Sequence, residues 1–339
     1  MSESNHNPSL DVPFLCVGIV VPVYNEENAL ESFHRLLRSM IDSMPERFLI
    51  YYVNDGSTDC TAEKLAQLSA SDPRVRLITL VRNFGHQAAL TAGLDTAEGD
   101  VVISMDGDGQ HPPALIPKML ALYQAGYEII QTQRLDDQRS GLFKRLSSNF
   151  FYWLIQKMSS IPIQPGTADF RLMSRDAVES FKNMREYHRF LRGMIPWMGF
   201  NTVILPFNPA DRLSGKSKYT LKKMSKLAED AIFSFSLLPV RIALICGIIF
   251  FILALFEVVN VLFIYFQGKT YLLVPGWSSL MFMSLINSGL ILVNIGIVGT
   301  YIAFILQEVK NRPIYILKKA GSSSVLKENI TSEKEENLQ

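Results

Sequence analysis

A chain of 339 residues with 48% apolar residues, 19% charged residues and a net charge of +1 has no global field with which to hold nucleic acid, and it contains no zinc-finger spacing or RNA-binding aromatic signature. Soluble domains carry about 25% charged residues. The shortfall here is local: residues 14–235 have an ordinary composition, whereas residues 240–306 are almost free of charge. Three widely separated cysteines, Cys16, Cys60 and Cys246, exclude a disulfide framework and predict free thiols, buried at Cys16 and Cys246, in a reducing compartment.

The opening residues, MSESNHNPSLDV, are polar and lack the basic-then-apolar order of a signal peptide. The reading is a disordered tail over 1–13, followed by a folded unit that stays on the side where it is made. LCVGIVVPV (15–23) is a near-continuous apolar run, as expected of a strand covered on both faces. NEENALESFHRLLRSMI then places apolar residues at helical spacing behind an acidic first turn. FLIYYVND (48–55) is a second strand, and GSTDCTAEKLAQLSA offers a cap at Asp59 or Thr61 before a helix. VRLITL (75–80), DVVISM (100–105) and YEIIQTQ (127–133) are further strands, with helices over HQAALTAGLDTA (86–97) and PALIPKMLALYQAG between them. Strands alternating with helices predict an α/β fold with a mainly parallel sheet, whose ligands sit beyond the carboxyl ends of the strands. Four of these strands end in polar clusters: Tyr24-Asn25-Glu26, Asp55-Gly56-Ser57, Arg82-Asn83 and Asp106-Gly107-Asp108. All four are expected along one edge.

Further on, GLFKRLSSNFFYWLIQKMSS reads as an amphipathic helix. TLKKMSKLAEDAIFSFS (220–236), basic and then apolar, fits a helix at a membrane surface; the interfacial segment is placed at 220–239. Two apolar stretches follow, about 242–266 and 279–306, each longer than the ~20 residues that cross a bilayer. Arg241 precedes the pair, and Lys310, Arg312, Lys318 and Lys319 follow it, so both ends are expected to face the cytoplasm. The alternative is a pair of buried core helices. Glu257 within the first stretch is costly in lipid and is expected to face a partner helix beside Asn260 or Asn294. Residues 307–339 read as a cytoplasmic tail, polar after Gly321.

The most telling stretch is SMDGDGQHPP (104–113), with two carboxylates one residue apart at the end of a buried strand. Such a pair raises its own protonation cost unless a cation holds it. One or both carboxylates and the amide oxygen of Gln110 suit Mg2+ or Mn2+ bridging the phosphates of a nucleotide, because these ions prefer oxygen and take few ligands from protein. There is no Walker sequence and no Gly-x-Gly-x-x-Gly at the first strand-helix turn, which argues against an ATPase and a dinucleotide oxidoreductase.

VVPVYNEE (20–27), NDGSTD (54–59), RNFGHQAAL (82–90), MDGDGQHPP (105–113), ADFRLMSR (168–175) and RLSGKSKY (212–219) occur in this order. Together they resemble the family 2 inverting glycosyltransferases of GT-A fold, and within them the polyprenyl-phosphate glycosyltransferases, such as bactoprenol glucosyltransferase and dolichol-phosphate mannose synthase. The resemblance covers residues 15–318. It departs at Gly107 and Gly109, where relatives often carry larger residues, which is expected to loosen the loop slightly.

The resemblance implies a GT-A domain over 14–219 and a two-helix transmembrane hairpin over 240–306. The implied reaction moves a sugar, with inversion, from a nucleotide diphosphate donor to polyprenyl (undecaprenyl) phosphate, making a lipid-linked donor for cell-envelope and lipopolysaccharide modification. UDP-glucose is the first choice of donor; a UDP-N-acetylhexosamine, a UDP-modified arabinose and GDP-mannose stay open. Pro22, Tyr24, Glu26, Asp55 and Asp106 are implied at the nucleotide and sugar, and Asp108 and Gln110 at Mg2+ or Mn2+. Asp169 stands at the position usually proposed as the acceptor-side base. Arg134, Lys144, Arg145 and Ser148 are implied near the lipid phosphate, and Arg212 and Lys218 on a loop closing over the phosphates. A multi-pass protein of the inner (cytoplasmic) membrane and a homo-oligomer such as a tetramer are implied as well.

Plainer readings stand beside these. Asp55 and Asp59 can cap the next helix, and Asp169 can form a structural pair with Arg171. Lys144 and Arg145 can serve headgroup attraction alone. His86 and His111, near helix starts, are expected to make local hydrogen bonds, and Trp197 and Phe200 to be core or interfacial anchors. The rival enzyme, a processive polysaccharide synthase, carries a Gln-x-x-Arg-Trp motif that this chain lacks. A rival of another class is a non-catalytic membrane scaffold with a decayed transferase domain.

Overall fold

The computed structural model describes residues 15–135, 166–187, 189, 191–209, 238–268 and 276–318. The expected N-terminal tail, the interfacial helices within 140–159 and 220–236, and the polar C-terminal segment after Gly321 lie outside the described residues.

Seven strands form one sheet: β1 (Cys16–Val23), β2 (Arg47–Asn54), β3 (Val75–Thr79), β4 (Val101–Ser104), β5 (Ile129–Arg134), β6 (Thr167–Ser174) and β7 (Thr202–Phe207), in the order β3-β2-β1-β4-β6-β5-β7. β1 pairs parallel with β2 and β4, β2 with β3, and β5 with β7, while β6 runs antiparallel to both its neighbours. The four polar strand ends therefore lie along one edge, as their sequence position predicts. β6 and β7 are not evident from the sequence. β7 contains Pro206 and is an edge strand, where the missing N–H costs no ladder bond.

Helices cover both faces. α1 (Leu30–Ile41), α2 (Thr61–Ser71) and α4 (Ile116–Gln124) pack on Val17, Ile19, Val21, Ile50, Ile103 and Phe170. α3 (His86–Thr96), α5 (Arg175–Asn183) and α6 (Leu191–Trp197) pack on Val20, Tyr51, Val53, Val102 and Met173. Successive residues of one strand thus enter opposite cores, which is why β1 and β4 carry no polar side chain before their ends. Ser174 caps α5 by accepting the Ala177 N–H.

Pro22 has a topological role. The Met105 N–H bonds to the Val20 carbonyl, so the even-numbered residues of β1 face β4. Pro22 has no N–H to extend that ladder. The β1–β4 register stops at Val20↔Ser104, whereas the β1–β2 register continues to Val23↔Asn54. The chain after β4 is freed to turn into the acidic segment.

α7 (Leu238–Phe266) and α8 (Trp277–Val309) begin before the expected 242 and 279. The windows Pro239–Phe256 and Ile286–Val309 have mean hydropathies of 2.6 and 2.2, and neither is buried within the chain. Among the described residues these two helices are apolar on all sides and not buried, unlike core helices, and are long enough to cross a membrane. Glu257 lies on α7 with its side chain outside the described residues. Trp197 is 64% exposed and so does not serve the core, whereas Phe200 packs against it. Cys16 and Cys246 are free and half-buried rather than buried, and Cys60 is exposed.

Candidate active site

The ends of β1 and β2 are locked together. Asn25, in the left-handed region at φ 52°, donates its backbone N–H to Ser57 Oγ and accepts the Thr58 N–H on its side-chain oxygen. Asp59, one residue before the N-cap Cys60, accepts the N–H groups of Thr61 and Glu27, and Thr61 Oγ1 accepts the Glu26 N–H. Asp55 does not cap α2. Its two oxygens accept the Phe84 N–H at 2.7 Å and the Gly85 N–H at 3.0 Å, holding the loop that leads into α3. Burial pushes the Asp55 carboxyl pKa up against these two donors. Gly56, at φ 64°, has no room for a side chain, since a β-carbon there would lie 2.4 Å from the Arg82 carbonyl carbon.

The acidic segment is built against β1. A β-carbon on Gly107 would lie 3.1 Å from Val23 Cγ1 and 3.3 Å from Val21 Cγ1. Glycine therefore seats the segment tightly on β1 instead of loosening it. Gln110 donates its backbone N–H to Asp108 Oδ1 at 3.0 Å. His111 Nδ1 accepts the Asp106 N–H at 2.9 Å, the local bond expected for this histidine. Its ring stacks on Phe170 with centroids 5.2 Å apart, and burial lowers its pKa, so it acts as a neutral support under Asp106.

Because β6 runs antiparallel to β4, its first residues lie where β4 ends. Ser104 Oγ donates to the Asp169 carbonyl at 2.7 Å, and the Asp169 carboxylate joins the cleft beside Asp106. His86 Nε2 stands 3.5 Å from Asp106 Oδ1 and 3.5 Å from Asp169 Oδ2. Burial disfavours the imidazolium, but Asp106 and then Asp169 outweigh it and raise the His86 pKa to about 9. Asp169 also meets Arg171 Nη2 at 2.6 Å and Arg192 Nη2 at 3.5 Å. Burial raises its pKa, yet Arg192, His86 and Arg171 together hold it well below the usual carboxylate range. On the far side of the acidic segment, Gln110 Oε1 accepts from Arg134 Nη2 at 2.8 Å.

This cleft places three carboxylates, Asp106, Asp108 and Asp169, with His86 and the arginines Arg134, Arg171 and Arg192 at the carboxyl edge of a mainly parallel sheet. The Glycosyl transferase family 2 profile matches residues 18–181. Over 304 residues the chain is 39% identical to an uncharacterized glycosyltransferase of Bacillus subtilis, covering 89% of this chain and 93% of that one. It is 38% identical over 308 residues to the SfII prophage-derived bactoprenol glucosyl transferase of Shigella flexneri, covering 90% and 98%. A prophage bactoprenol glucosyl transferase homolog of Escherichia coli is 37% identical over 311 residues, covering 89% and 98%. The chain belongs to glycosyl transferase family 2. It is a glycosyltransferase with a GT-A domain.

In this transferase, the structure gathers Asp106, Asp108, Gln110, Arg134 and Asp169 around one cleft and sets Asp55 in the adjoining wall. Pro22 is buried in β1, Tyr24 is partly exposed at its end, and Glu26 is half-buried at the following turn. Lys144, Arg145, Ser148, Arg212 and Lys218 lie outside the described residues. The sequence reading gave no site role to His86 or Arg192. His86 had a signal in its place within RNFGHQAAL, but it faces Asp106 and Asp169 rather than making the expected local bond, and Arg192 faces the site because α6 packs on the same side as α3.

The metal assignment fits the donor chemistry. Among the described residues no group of three or more His, Cys, Asp or Glu side chains could hold an ion unaided. Asp108 and Gln110 supply hard oxygen donors only, and Gln110 Oε1 keeps a second lone pair beyond the one engaged by Arg134. A shell completed by substrate phosphates and water is the preference of Mg2+ and Mn2+ rather than zinc.

Proposed function

We propose that this transferase moves glucose from UDP-glucose to undecaprenyl phosphate at the cytoplasmic face of the membrane, with inversion at the anomeric carbon. The observation that carries this reading is the combination in one chain of the acidic cleft at the strand ends and two long apolar helices that, among the described residues, are not buried. A soluble acceptor gives no reason for the second feature. Relatives named bactoprenol glucosyl transferase, similar over most of both chains, support the lipid acceptor and the glucose. The cationic flanks, Arg241 in the first turn of α7 and Lys310 and Arg312 after α8, support the cytoplasmic orientation.

In the proposed reaction, an oxygen of the acceptor phosphate attacks the anomeric carbon as the bond to the donor diphosphate breaks, and the nucleoside diphosphate leaves with the electron pair. The phosphate oxygen is already anionic, so the attack needs no strong base. Asp169, held far below its usual pKa and paired with Arg171, is a weak base and suits an orienting role. The harder task is to bring two anions together. Asp108 and Gln110 would hold Mg2+ or Mn2+, which supplies positive charge to the leaving diphosphate. Arg134 adds a guanidinium on the side where the acceptor phosphate would arrive, next to Gln110. His86, charged at neutral pH, keeps Asp106 and Asp169 from repelling each other before substrate binds. Lys144, Arg145, Ser148, Arg212 and Lys218 are proposed to add contacts to the phosphates.

The test is a panel of labelled nucleotide sugars incubated with vesicles containing the protein and undecaprenyl phosphate. Label from UDP-glucose is expected in the solvent-extractable lipid. Transfer from another donor overturns the choice of sugar. No transfer to lipid from any donor overturns the acceptor.

A further inference from the structure

Residues beyond α8 return to the catalytic unit. The Val81 N–H donates to the Ile316 carbonyl at 3.0 Å, and the Lys318 N–H donates to the Thr79 carbonyl at 2.7 Å. These bonds flank the antiparallel pair Leu80↔Leu317. β3 is the last strand on its side of the sheet, so the returning segment pairs with that outer edge. Tyr315 packs against the core on the α3 face and donates its O–H to Asp95 Oδ2 at 2.8 Å, where Arg185 Nη1 also binds at 2.7 Å. At the other end, the Glu308 carboxylate on α8 accepts the Tyr187 N–H at 2.9 and 3.1 Å.

We propose that Glu308–Lys318 is a strap that fixes the height of the active site above the bilayer, with Tyr315 as its principal positioning residue. This rests on the reading that the acceptor is a lipid phosphate held in the membrane. The chain from Val309 to Ile316 can span at most about 25 Å, so the edge of the sheet cannot stand farther than that from the end of α8. The register is set by two main-chain bonds and by Tyr315, not by the tail's composition. The site itself is held without the strap: the Phe84 and Gly85 N–H groups are bound by Asp55, and His86 faces Asp106 and Asp169.

An acceptor dissolved in water reaches the cleft at any height. An acceptor anchored by its tail presents its phosphate only at the headgroup level. The strap therefore matters for the second and not for the first, and a small misplacement of reacting groups is costly.

The test uses the full chain in phospholipid vesicles with two acceptors, undecaprenyl phosphate in the bilayer and a water-soluble short-chain prenyl phosphate. The double variant Tyr315→Phe with Lys318→Pro removes the O–H to Asp95 and the N–H to Thr79. Its KM for undecaprenyl phosphate is expected to rise by about tenfold or more, with kcat/KM for the soluble acceptor unchanged within about twofold. Equal loss toward both acceptors, or no change toward either, overturns the strap. Should the double variant not fold, Tyr315→Phe alone is expected to raise the lipid KM about threefold without affecting the soluble acceptor, and an unchanged lipid KM overturns the proposal. Wild-type protein that transfers to neither acceptor overturns the functional reading instead, so the two failures are distinguishable.

Discussion

The side-chain oxygen of Gln110 accepts a hydrogen bond from Arg134 at 2.8 Å, joining a residue assigned to the donor's metal with one assigned to the acceptor's phosphate. The two substrates of the proposed reaction repel each other, and this bond ties together the groups that would neutralise them. Arg134→Ala is expected to lower kcat/KM for transfer by about 10- to 100-fold, the range of a lost charge-assisted hydrogen bond. Gln110→Ala combined with Arg134→Ala is expected to cost less than the product of the single losses. A double-mutant cycle on kcat/KM measures that coupling, and strict additivity would show the two residues acting separately.

Asp108→Ala, or removal of divalent ions with a chelator, is expected to abolish transfer while leaving the thermal unfolding midpoint of the free protein nearly unchanged. Asp108 is half-buried at the carboxyl edge of the sheet, where it accepts the Gln110 N–H, and is not part of the apolar core. Activity restored by Mg2+ or Mn2+ but not by Ca2+ would fit the small oxygen-rich shell assigned here. Activity that survives chelation would remove the metal from the reading.

His86 carries a sign that can be checked. Its pKa is raised, to about 9, by the two carboxylates it faces. A raised histidine pKa adds stability that is fully present below the unfolded value near 6.5 and is lost as pH rises through the folded value. The melting temperature of the substrate-free protein is therefore expected to fall between about pH 6.5 and 9, and more steeply than in His86→Gln. Equal slopes in the two proteins would show that the imidazole is not charged in this setting.

Asp169 predicts the opposite dependence. Its carboxyl is held well below the usual range, so its contribution is present above about pH 4 and is lost only as pH falls further. Asp169→Asn leaves the fully buried guanidinium of Arg171 without its counter-charge. The expected destabilisation at neutral pH is about 3–5 kcal/mol by denaturant unfolding. A loss of activity in Asp169→Asn must be read at temperatures where the variant is folded.

Gly56→Ala tests the wall of the cleft. The left-handed φ of this residue costs a β-carbon about 1–3 kcal/mol, and the Arg82 backbone lies in the space that carbon would occupy. Stability is expected to fall by at least that amount, and affinity for the nucleotide to fall with it as Asp55 loses its loop. Nucleotide titration by calorimetry on folded variant protein checks the second effect.

Much of the GT-A half was legible because its signals are local. β-branched runs mark β1 to β4, buried on both faces except in the outer strand β3, and a polar cluster at the end of each points to the edge where Asp55, Asp106 and Asp108 lie. β6 was hidden because TADFRLMS mixes charge with apolar residues, and only its pairing on both sides with β4 and β5 explains that mixture. The partners of His86 and Arg192 were hidden for a related reason, since they are distant in sequence. The return of Tyr315–Lys318 to β3 leaves almost no trace in composition, because main-chain pairing is indifferent to side-chain type.

The amino-acid order alone determined the alternation of strands and helices, the acidic segment after β4 and the two long apolar C-terminal stretches, since each depends on the periodicity and solvation of neighbouring residues. The tertiary structure decided which charges meet. Reversal of β6 brings Asp169 beside Asp106, packing of α3 and α6 on one face supplies His86 and Arg192, and the end of β5 delivers Arg134 to Gln110. Electrostatic pairing falls off within a few ångströms, so it is governed by distances that only the assembled sheet sets.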